Sequence, residues 1–272
     1  MPELPEVETT VRGLAAVLQG RRIASIELRR ADLRRPFPVD LRQRLTGARV
    51  TGLGRRAKYG LIDTDRGDTF VFHLGMSGSW RVDPVEIGRH DHVLIRTDQG
   101  RRLSLNDPRR FGSIDLVPTE RLNETAPFSL MGPEPLGDAF DGAYLAAALD
   151  RRQAPIKAML LDQRIVAGLG NIYVCEALHM ARISPTRAAG RISRPRLDRL
   201  AAAVKTVLLA AIDAGGSTLR DYAQPNGELG YFSARWRVYG REGQPCPECG
   251  TTVRRRTDSG RSTFYCPACQ RT

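Results

Sequence analysis

Residues 246–269 read CPECGTTVRRRTDSGRSTFYCPAC and hold four of the chain's five cysteines in two C-x-x-C pairs. Each pair supplies two thiolates from one tight turn, so the spacing predicts a site for one structural zinc ion (Zn2+). The predicted ligands are Cys246, Cys249, Cys266 and Cys269. The arginine-rich segment between the pairs predicts a zinc-braced hairpin that contacts nucleic acid.

The composition favours a polyanionic partner. Lysine and arginine number 42 against 30 aspartates and glutamates, which gives a formal net charge of +12 in 272 residues. A general compositional preference for arginine is an alternative cause of this charge, because only Lys58, Lys157 and Lys205 are lysines and all other cationic residues are arginines. No apolar run reaches membrane-spanning length and no signal segment opens the chain, so we expect a cytoplasmic protein with no membrane partner. In that reducing compartment paired cysteines bind zinc rather than form disulfides.

The first half of the chain has the pattern of a helix followed by antiparallel strands. Apolar residues recur at helical spacing between Pro5 and Gly20, namely Val7, Val11, Leu14 and Leu18. Strand-like segments with alternating polarity follow from about 22 to 117, with hairpin turns at 65–68 and 98–100. We predict an N-terminal helix packed on an antiparallel β-sandwich or barrel.

The second half has the pattern of a helical domain joined to the metal module. A Pro- and Gly-rich connection precedes helices that we predict at about 142–151, 156–164, 171–181 and 195–213. A Gly- and polar-rich loop follows at 217–231. The fold class is therefore α+β with several domains, placed at 1–130, 131–240 and 241–272.

The N-terminus, MPELPE, places a proline at the second position. Removal of Met1 would leave Pro2 with a free secondary amine, which can attack an electrophilic sugar carbon and form an iminium. The positive pole of the following helix would favour the uncharged amine, and Glu3 could move protons beside it. A proline-rich helix start without any chemistry explains the same residues.

Motifs along nearly the whole chain resemble those of the bacterial formamidopyrimidine-DNA glycosylases. They occur in the family's order as PELPEVET at 2–9, RRAKY at 55–59, HLGMSG at 73–78, HDH at 90–92, DPRRFG at 107–112 and GLGNIY at 168–173, followed by the cysteine pairs. The resemblance implies a DNA glycosylase and abasic-site lyase for oxidised purines, mainly 8-oxoguanine and formamidopyrimidines. It implies damaged double-stranded DNA as the partner, a monomer, and no obligatory protein partner.

The resemblance assigns catalytic roles to four residues. Pro2 would be the nucleophile at C1′ of the damaged nucleotide and would form a Schiff base, with Glu3 as proton donor and shuttle. Lys58 would be a second general acid and a sugar–phosphate contact, and a solvated strand lysine is the alternative. Arg261 would assist the last step of a β,δ-elimination, or be one of several phosphate-binding arginines.

The resemblance also implies DNA contacts. Met76, Arg109 and Phe111 would fill the gap left by a base rotated out of the duplex. Core packing is the commoner role of Met and Phe, but their Gly, Ser and Arg neighbours favour exposed loop tips. Asn171, in a helix–two-turn–helix element, would cap its helix while its amide faces a phosphate. Lys157 would contact the DNA backbone or the lesion.

His90 and Arg152 resemble further DNA contacts of the family, and the loop at 217–231 resembles its lesion-covering loop. An ordinary turn residue is the alternative for His90.

Two other functions remain open. An oxidised-pyrimidine glycosylase of the endonuclease VIII type would share the fold, although the N-terminus and the gap-filling residues favour purines. The second is a non-catalytic zinc-ribbon DNA-binding protein, which all the motifs other than the N-terminus would suit equally well. We expect the protein to associate with the nucleoid while it searches DNA.

Overall fold

The computed structural model describes residues 1–217, 224, 225 and 227–271. Contacts divide the chain into two compact units. The N-terminal unit comprises Met1–Leu130 and Ile212–Ser233, and the C-terminal unit comprises Met131–Ala211 and Ala234–Thr272. No helix among the described residues is long and apolar enough to cross a membrane.

Helix α1 (Leu4–Leu18) forms where the apolar spacing predicts it. The predicted inward-facing residues are buried, namely Val7, Val11, Leu14 and Leu18. The helix stops before Gly20, whose φ of +73° lies in the left-handed region that favours glycine. The predicted N-terminal helix is therefore confirmed.

The strands described in the N-terminal unit form two antiparallel sheets. One sheet has the order β1 (Ile23–Leu28), β6 (Asp91–Thr97), β7 (Arg102–Asn106) and β5 (Ser79–Val82). The other has the order β2 (Val50–Arg56), β3 (Tyr59–Thr64), β4 (Asp68–His73) and β8 (Ser113–Pro118). The predicted turn at 65–68 joins β3 to β4, and the one at 98–100 joins β6 to β7.

One apolar core is shared by α1 and both sheets. The Trp80 ring of β5 lies 6.3 Å from the Phe70 ring and 5.6 Å from the Phe72 ring, both on β4 of the other sheet. This packing confirms the predicted α+β class with a β-sandwich. The sequence patterns do not single out β5, β8 or helix α2 (Leu41–Leu45), because such short elements show little periodicity.

The helices of the second half are α3 (Gly142–Leu149), α4 (Ile156–Leu161), α5 (Asn171–Met180) and α6 (Arg194–Asp213). Helix α4 ends at Leu161 rather than near residue 164. Asp162 leaves the helical conformation there, and its Oδ1 accepts the Arg164 N–H at 3.0 Å. Gly215 and Gly216 follow α6 with φ of +74° and +84°, as expected for a helix stop.

The predicted hairpin of the metal module is formed by β9 (Arg254–Asp258) and β10 (Arg261–Tyr265). Its two-residue turn consists of Ser259 and Gly260, with φ of +48° and +74°. Positive φ at both positions matches the twist of the flanking strands and makes the hairpin tight. Arg261 is the first residue after this turn and is exposed.

Candidate functional site

The start of α1 buries two residues that the sequence singles out. Pro2 is buried, whereas Met1 is 49% exposed and joins the Pro2 nitrogen in a peptide bond. Glu3 is the N-cap of α1 and forms a capping box with Glu6, whose Oε2 accepts the Glu3 N–H at 2.8 Å. Once Met1 is removed, the amine would lie at the positive end of a helix beside a buried carboxylate.

The second oxygen of Glu6 extends this arrangement to the start of the predicted lesion loop. Glu6 Oε1 accepts the Ser217 N–H at 2.8 Å, and both residues are buried. Residues 218–223 and 226 of that predicted loop lie outside the described residues. Sequence reasoning missed Glu6, although its position three residues after Glu3 is the signal of a capping box.

Lys58 lies in the two-residue turn between β2 and β3. The turn is tight, because Ala57 has a φ of +55°. Lys58 is 8% exposed, which excludes the alternative of a solvated strand lysine. Arg55 Nε donates to Glu8 Oε2 at 3.0 Å, so an ion pair joins the strand before this turn to α1. The pair fixes Lys58 relative to the helix that Pro2 precedes.

His73 shares the electrostatic environment of Lys58 and was missed by sequence reasoning. Burial, and then the positive charges of Lys58, Arg34 and Arg35, lower the pKa of His73 to about 4. Its Nδ1 accepts the Gly75 N–H at 3.1 Å, which leaves the ring proton on Nε2. The ring is therefore neutral near pH 7. The HLGMSG motif contains this histidine, but its protonation depends on surroundings that a motif does not show.

The predicted gap-filling residues occupy two neighbouring loops. The Met76 loop (74–78) joins β4 to β5, and the Arg109 loop (107–112) joins β7 to β8. Met76 is 40% exposed and Phe111 is 44% exposed. The Arg109 guanidinium carbon lies 4.8 Å from the centroid of the Phe111 ring, a cation–π contact. Their predicted position at exposed loop tips is confirmed, and their role stays a prediction.

His90 and Arg152 both lie in turns. His90 precedes β6, is half-buried, and accepts the Asp107 N–H on its carbonyl at 3.0 Å. This bond attaches it to the Arg109 loop. Arg152 follows α3, is exposed, and accepts the Gly190 N–H on its carbonyl at 2.8 Å. These contacts locate both residues without testing a DNA contact.

Lys157 and Asn171 meet the β9–β10 hairpin. Lys157 is 3% exposed, and its Nζ donates to the Ser262 carbonyl at 3.1 Å and to Thr263 Oγ1 at 2.7 Å. Asn171 Nδ2 donates to the same Ser262 carbonyl at 2.8 Å. Because Ser262 directly follows Arg261, both side chains hold the hairpin next to that arginine. Burial also lowers the pKa of Lys157.

One expectation for these residues is corrected. Asn171 does not cap its helix, because Gly170 occupies the N-cap position and Asn171 is the first helical residue. The Lys157 amine donates to a carbonyl and a hydroxyl of the protein, and its expected contact with the DNA backbone or lesion stays a prediction. The hydrogen-bond partners of Lys157 and Asn171 lie 91 to 106 residues later in the chain, and local sequence patterns carry no information about contacts at that separation.

The four predicted zinc ligands converge. Their sulfurs all lie within 4.8 Å of one another, with individual pairs at 3.4, 3.5 and 3.9 Å. Zinc–sulfur bonds of about 2.3 Å in a tetrahedron place sulfurs about 3.8 Å apart, so the cluster fits one structural zinc ion. His179 Nε2 lies 3.4 Å from Cys246 Sγ, and Cys175 and Val238 pack in the same apolar cluster.

Three segments of the chain match families of known domains. Residues 1–114 match the formamidopyrimidine-DNA glycosylase N-terminal domain. Residues 131–223 match the formamidopyrimidine-DNA glycosylase H2TH domain, and residues 243–272 match the zinc finger found in FPG and IleRS.

Individual relatives match over the full length. The formamidopyrimidine-DNA glycosylase of Rhizorhabdus wittichii is 72% identical over 271 residues, with 100% of both chains covered. The crystal structure of the MutM (FPG) protein from Thermus thermophilus is 41% identical, with a TM-score of 0.89 over 99% of this chain and 98% of that one. The Lactococcus lactis Fpg in complex with an abasic site containing DNA is 33% identical, with a TM-score of 0.91 and 100% of both chains covered. The chain therefore belongs to the formamidopyrimidine-DNA glycosylase family.

Proposed function

We propose that the chain excises oxidised purines from duplex DNA through a covalent intermediate on Pro2 and then cleaves the strand by β,δ-elimination. Membership of the family makes it a bacterial DNA glycosylase with abasic-site lyase activity and a structural zinc finger. The start of the chain carries the proposal, because Pro2 is buried and is followed directly by Glu3, the N-cap of α1. The substrate class is supported by Lactococcus lactis FPG, whose structures include complexes with a Fapy-dG containing DNA and with an abasic site containing DNA.

The chemistry begins with the uncharged Pro2 amine, whose lone pair attacks C1′ of the damaged nucleotide. The bond from C1′ to the base breaks, and the base leaves with that electron pair and takes a proton from solvent. The nitrogen loses its hydrogen to the Glu3 carboxylate and its lone pair opens the sugar ring, which gives an iminium at C1′ and a hydroxyl at C4′. Glu3 lies beside the nitrogen and delivers the proton to the ring oxygen. Removal of a C2′ proton then expels the 3′ phosphate, and a second elimination expels the 5′ phosphate.

Lys58 serves in this proposal as a second proton donor and as a sugar–phosphate contact. The turn between β2 and β3 fixes the amine, and the Arg55–Glu8 pair fixes the turn. His73 adds a neutral ring, and the cations that lower its pKa make the surroundings positive. A positive and partly dehydrated environment strengthens charge-assisted bonds to a phosphate.

Lesion recognition in the proposal uses the two exposed loops. Unstacking a base costs a few kcal/mol, and the apolar tips Met76 and Phe111 replace part of the lost stacking. The Arg109 guanidinium can donate hydrogen bonds to the unpaired cytosine. His90 and Arg152 would contact the DNA backbone.

Arg261 acts in the last elimination, and Lys157 and Asn171 position it. The Ser262 carbonyl receives hydrogen bonds from both side chains. Thr263 Oγ1, which accepts from Lys157, donates to Asp258 Oδ2 at 2.6 Å and closes the network across the hairpin. We therefore assign Lys157 and Asn171 a positioning role on the hairpin, in addition to the DNA contacts predicted for them.

Lys157→Met should change the product distribution without abolishing excision. Loss of the two amine hydrogen bonds loosens the hairpin next to Arg261, so the β-elimination product should rise about threefold relative to the β,δ-product. Gel separation of the 3′ ends measures the ratio. Lys205→Met is the matched control, because the Lys205 amine bonds to the Gly137 carbonyl instead of the hairpin. An unchanged ratio in Lys157→Met would contradict the positioning role.

Three domains divide this work in the proposal. Residues 1–130 form the catalytic domain, 131–240 the helix–two-turn–helix domain with its lesion loop, and 241–272 the zinc finger. The net charge of +12 suits binding to DNA without a protein partner. We place the enzyme in the cytoplasm as a monomer that associates with the nucleoid while it searches. Its affinity for DNA should fall steeply with salt, because phosphate contacts dominate binding.

Borohydride trapping on paired lesions tests the proposed function. One duplex carries 8-oxoguanine opposite cytosine and the matched duplex carries an oxidised pyrimidine. We expect at least about tenfold more trapped protein on the 8-oxoguanine duplex, with the reduced sugar mapped to Pro2 by mass spectrometry. A larger yield on the pyrimidine would instead support specificity of the endonuclease VIII type. Tight binding without any adduct would support a non-catalytic DNA-binding protein.

A further inference from the structure

The Met76 loop and the Arg109 loop leave the sheets side by side. Each joins a strand of one sheet to a strand of the other. The strands at their ends are hydrogen-bonded to each other through the pairs His73–Ser113 and Ser79–Asn106. The two loops therefore start and finish as neighbours.

A buried carboxylate joins the two loops. Asp107 has no exposed surface, and its Oδ1 accepts the Ser77 hydroxyl at 2.7 Å while its Oδ2 accepts the Gly112 N–H at 2.8 Å. The Ser77 oxygen in turn accepts the Arg109 N–H at 3.2 Å. We call this Ser77–Asp107 arrangement the clasp. It connects the residue after Met76 with the backbone that carries Arg109.

The loops also touch through their backbones. Gly75 has a φ of +62°, and a Cβ added there would lie 2.3 Å from the Phe111 carbonyl carbon and 2.5 Å from the Gly112 nitrogen. Contacts that short are forbidden, so no other residue fits without displacing the second loop. Because glycine has no side chain, the two loop backbones can approach closely enough for the Ser77–Asp107 hydrogen bond to form.

The backbone of Asp107 adds a third element to this cluster. Its N–H donates to the His90 carbonyl at 3.0 Å, and its carbonyl accepts from His92 Nε2 at 3.0 Å and from the Arg110 N–H at 3.2 Å. One residue without exposed surface therefore organises the tips that carry Met76 and Arg109, together with the turn that carries His90.

We propose that the clasp holds the two tips as one preformed wedge and so determines how well the enzyme distinguishes the base opposite the lesion. Ser77 and Asp107 are positioning residues in this view, a role that rests on the proposed function. Separate tips would have to be ordered during insertion, and that ordering would weaken binding. A fixed Arg109 backbone limits the positions its guanidinium can reach, which favours one partner base over another.

Ser77→Ala tests the inference. The change removes the hydroxyl that links Asp107 to the Arg109 N–H. Excision of 8-oxoguanine from duplex DNA should fall about tenfold, and the preference for cytosine over adenine opposite the lesion should narrow by a similar factor. Single-stranded DNA with an abasic site has no opposite base and needs no wedge. Borohydride trapping on that substrate should therefore stay within about twofold of wild type.

Two further variants complete the experiment. Ser77→Thr keeps the hydroxyl and should restore both excision and base preference. Ser104→Ala is the matched control, because the Ser104 hydroxyl donates at 2.9 Å to Asp91, and this equally buried pair lies outside both loops. It should behave as wild type.

The outcomes are distinguishable. Unchanged duplex excision and unchanged opposite-base preference in Ser77→Ala would overturn the proposed role of the clasp. An equal loss of trapping on single-stranded DNA would also overturn it, because the defect would then be general damage to the fold. Failure of the proposed function has a different signature, since wild type itself would then form no adduct on either substrate.

Discussion

Blocking the Pro2 nitrogen should abolish base excision while DNA binding stays nearly unchanged. A glutamate inserted between Met1 and Pro2 turns that nitrogen into a tertiary amide, whose lone pair is delocalised into the carbonyl. Excision of 8-oxoguanine and borohydride trapping should both fall by at least about 10³-fold, the usual effect of losing a nucleophile. Because Met1 is 49% exposed, the added residue has access to solvent and need not disturb the buried start of α1.

Two measurements complete this test. Fluorescence anisotropy with a duplex that holds an uncleavable abasic analogue should give an affinity within about threefold of wild type, since the phosphate contacts remain. The intact mass of the active wild-type protein should correspond to a chain that begins at Pro2. An active preparation that retains Met1, or normal excision by the blocked chain, would remove Pro2 from the mechanism.

Cys249→Ser should release zinc and weaken DNA binding about 100-fold while the sandwich stays folded. Structural zinc contributes about 10–16 kcal/mol to the folding of small zinc modules, and the few apolar residues of this cluster cannot replace it. Cys249 is exposed, so the substitution leaves that cluster intact and acts through the metal. The sandwich has its own core, formed with α1. Elemental analysis, anisotropy at fixed salt and the thermal transition of the sandwich measure the three effects.

Cys175→Ala is the matched control for the zinc experiment. Cys175 is buried in the same apolar cluster but is not one of the four converging cysteines. This variant should keep its zinc and its affinity for DNA. Unchanged affinity in zinc-free Cys249→Ser would show that the hairpin does not need the metal to bind DNA.

Features set by neighbouring residues could be predicted from the sequence. The cysteine spacing predicts the metal cluster, because each pair lies in one turn. The turns at 65–68 and 98–100 carry glycines with positive φ where hairpins require them. Helix α1 follows an apolar stripe between a proline and a glycine.

Features set by distant residues could not be predicted. The carbonyl that Lys157 and Asn171 share lies on a hairpin 105 and 91 residues away. Asp107 belongs to a recognisable motif, yet Ser77, whose hydroxyl donates a hydrogen bond to the Asp107 carboxylate, lies 30 residues earlier. The lowered pKa of His73 likewise depends on burial and then on cations from distant parts of the chain. Motifs identified these residues or their neighbours, but only tertiary contacts show what the side chains do.

The two oxygens of Glu6 couple the start of α1 to Ser217. Replacement of that carboxylate by an apolar side chain removes both acceptors and should disturb the start of α1 and Ser217 together. Among random variants selected for retained excision, apolar substitutions of Glu6 should therefore be rare.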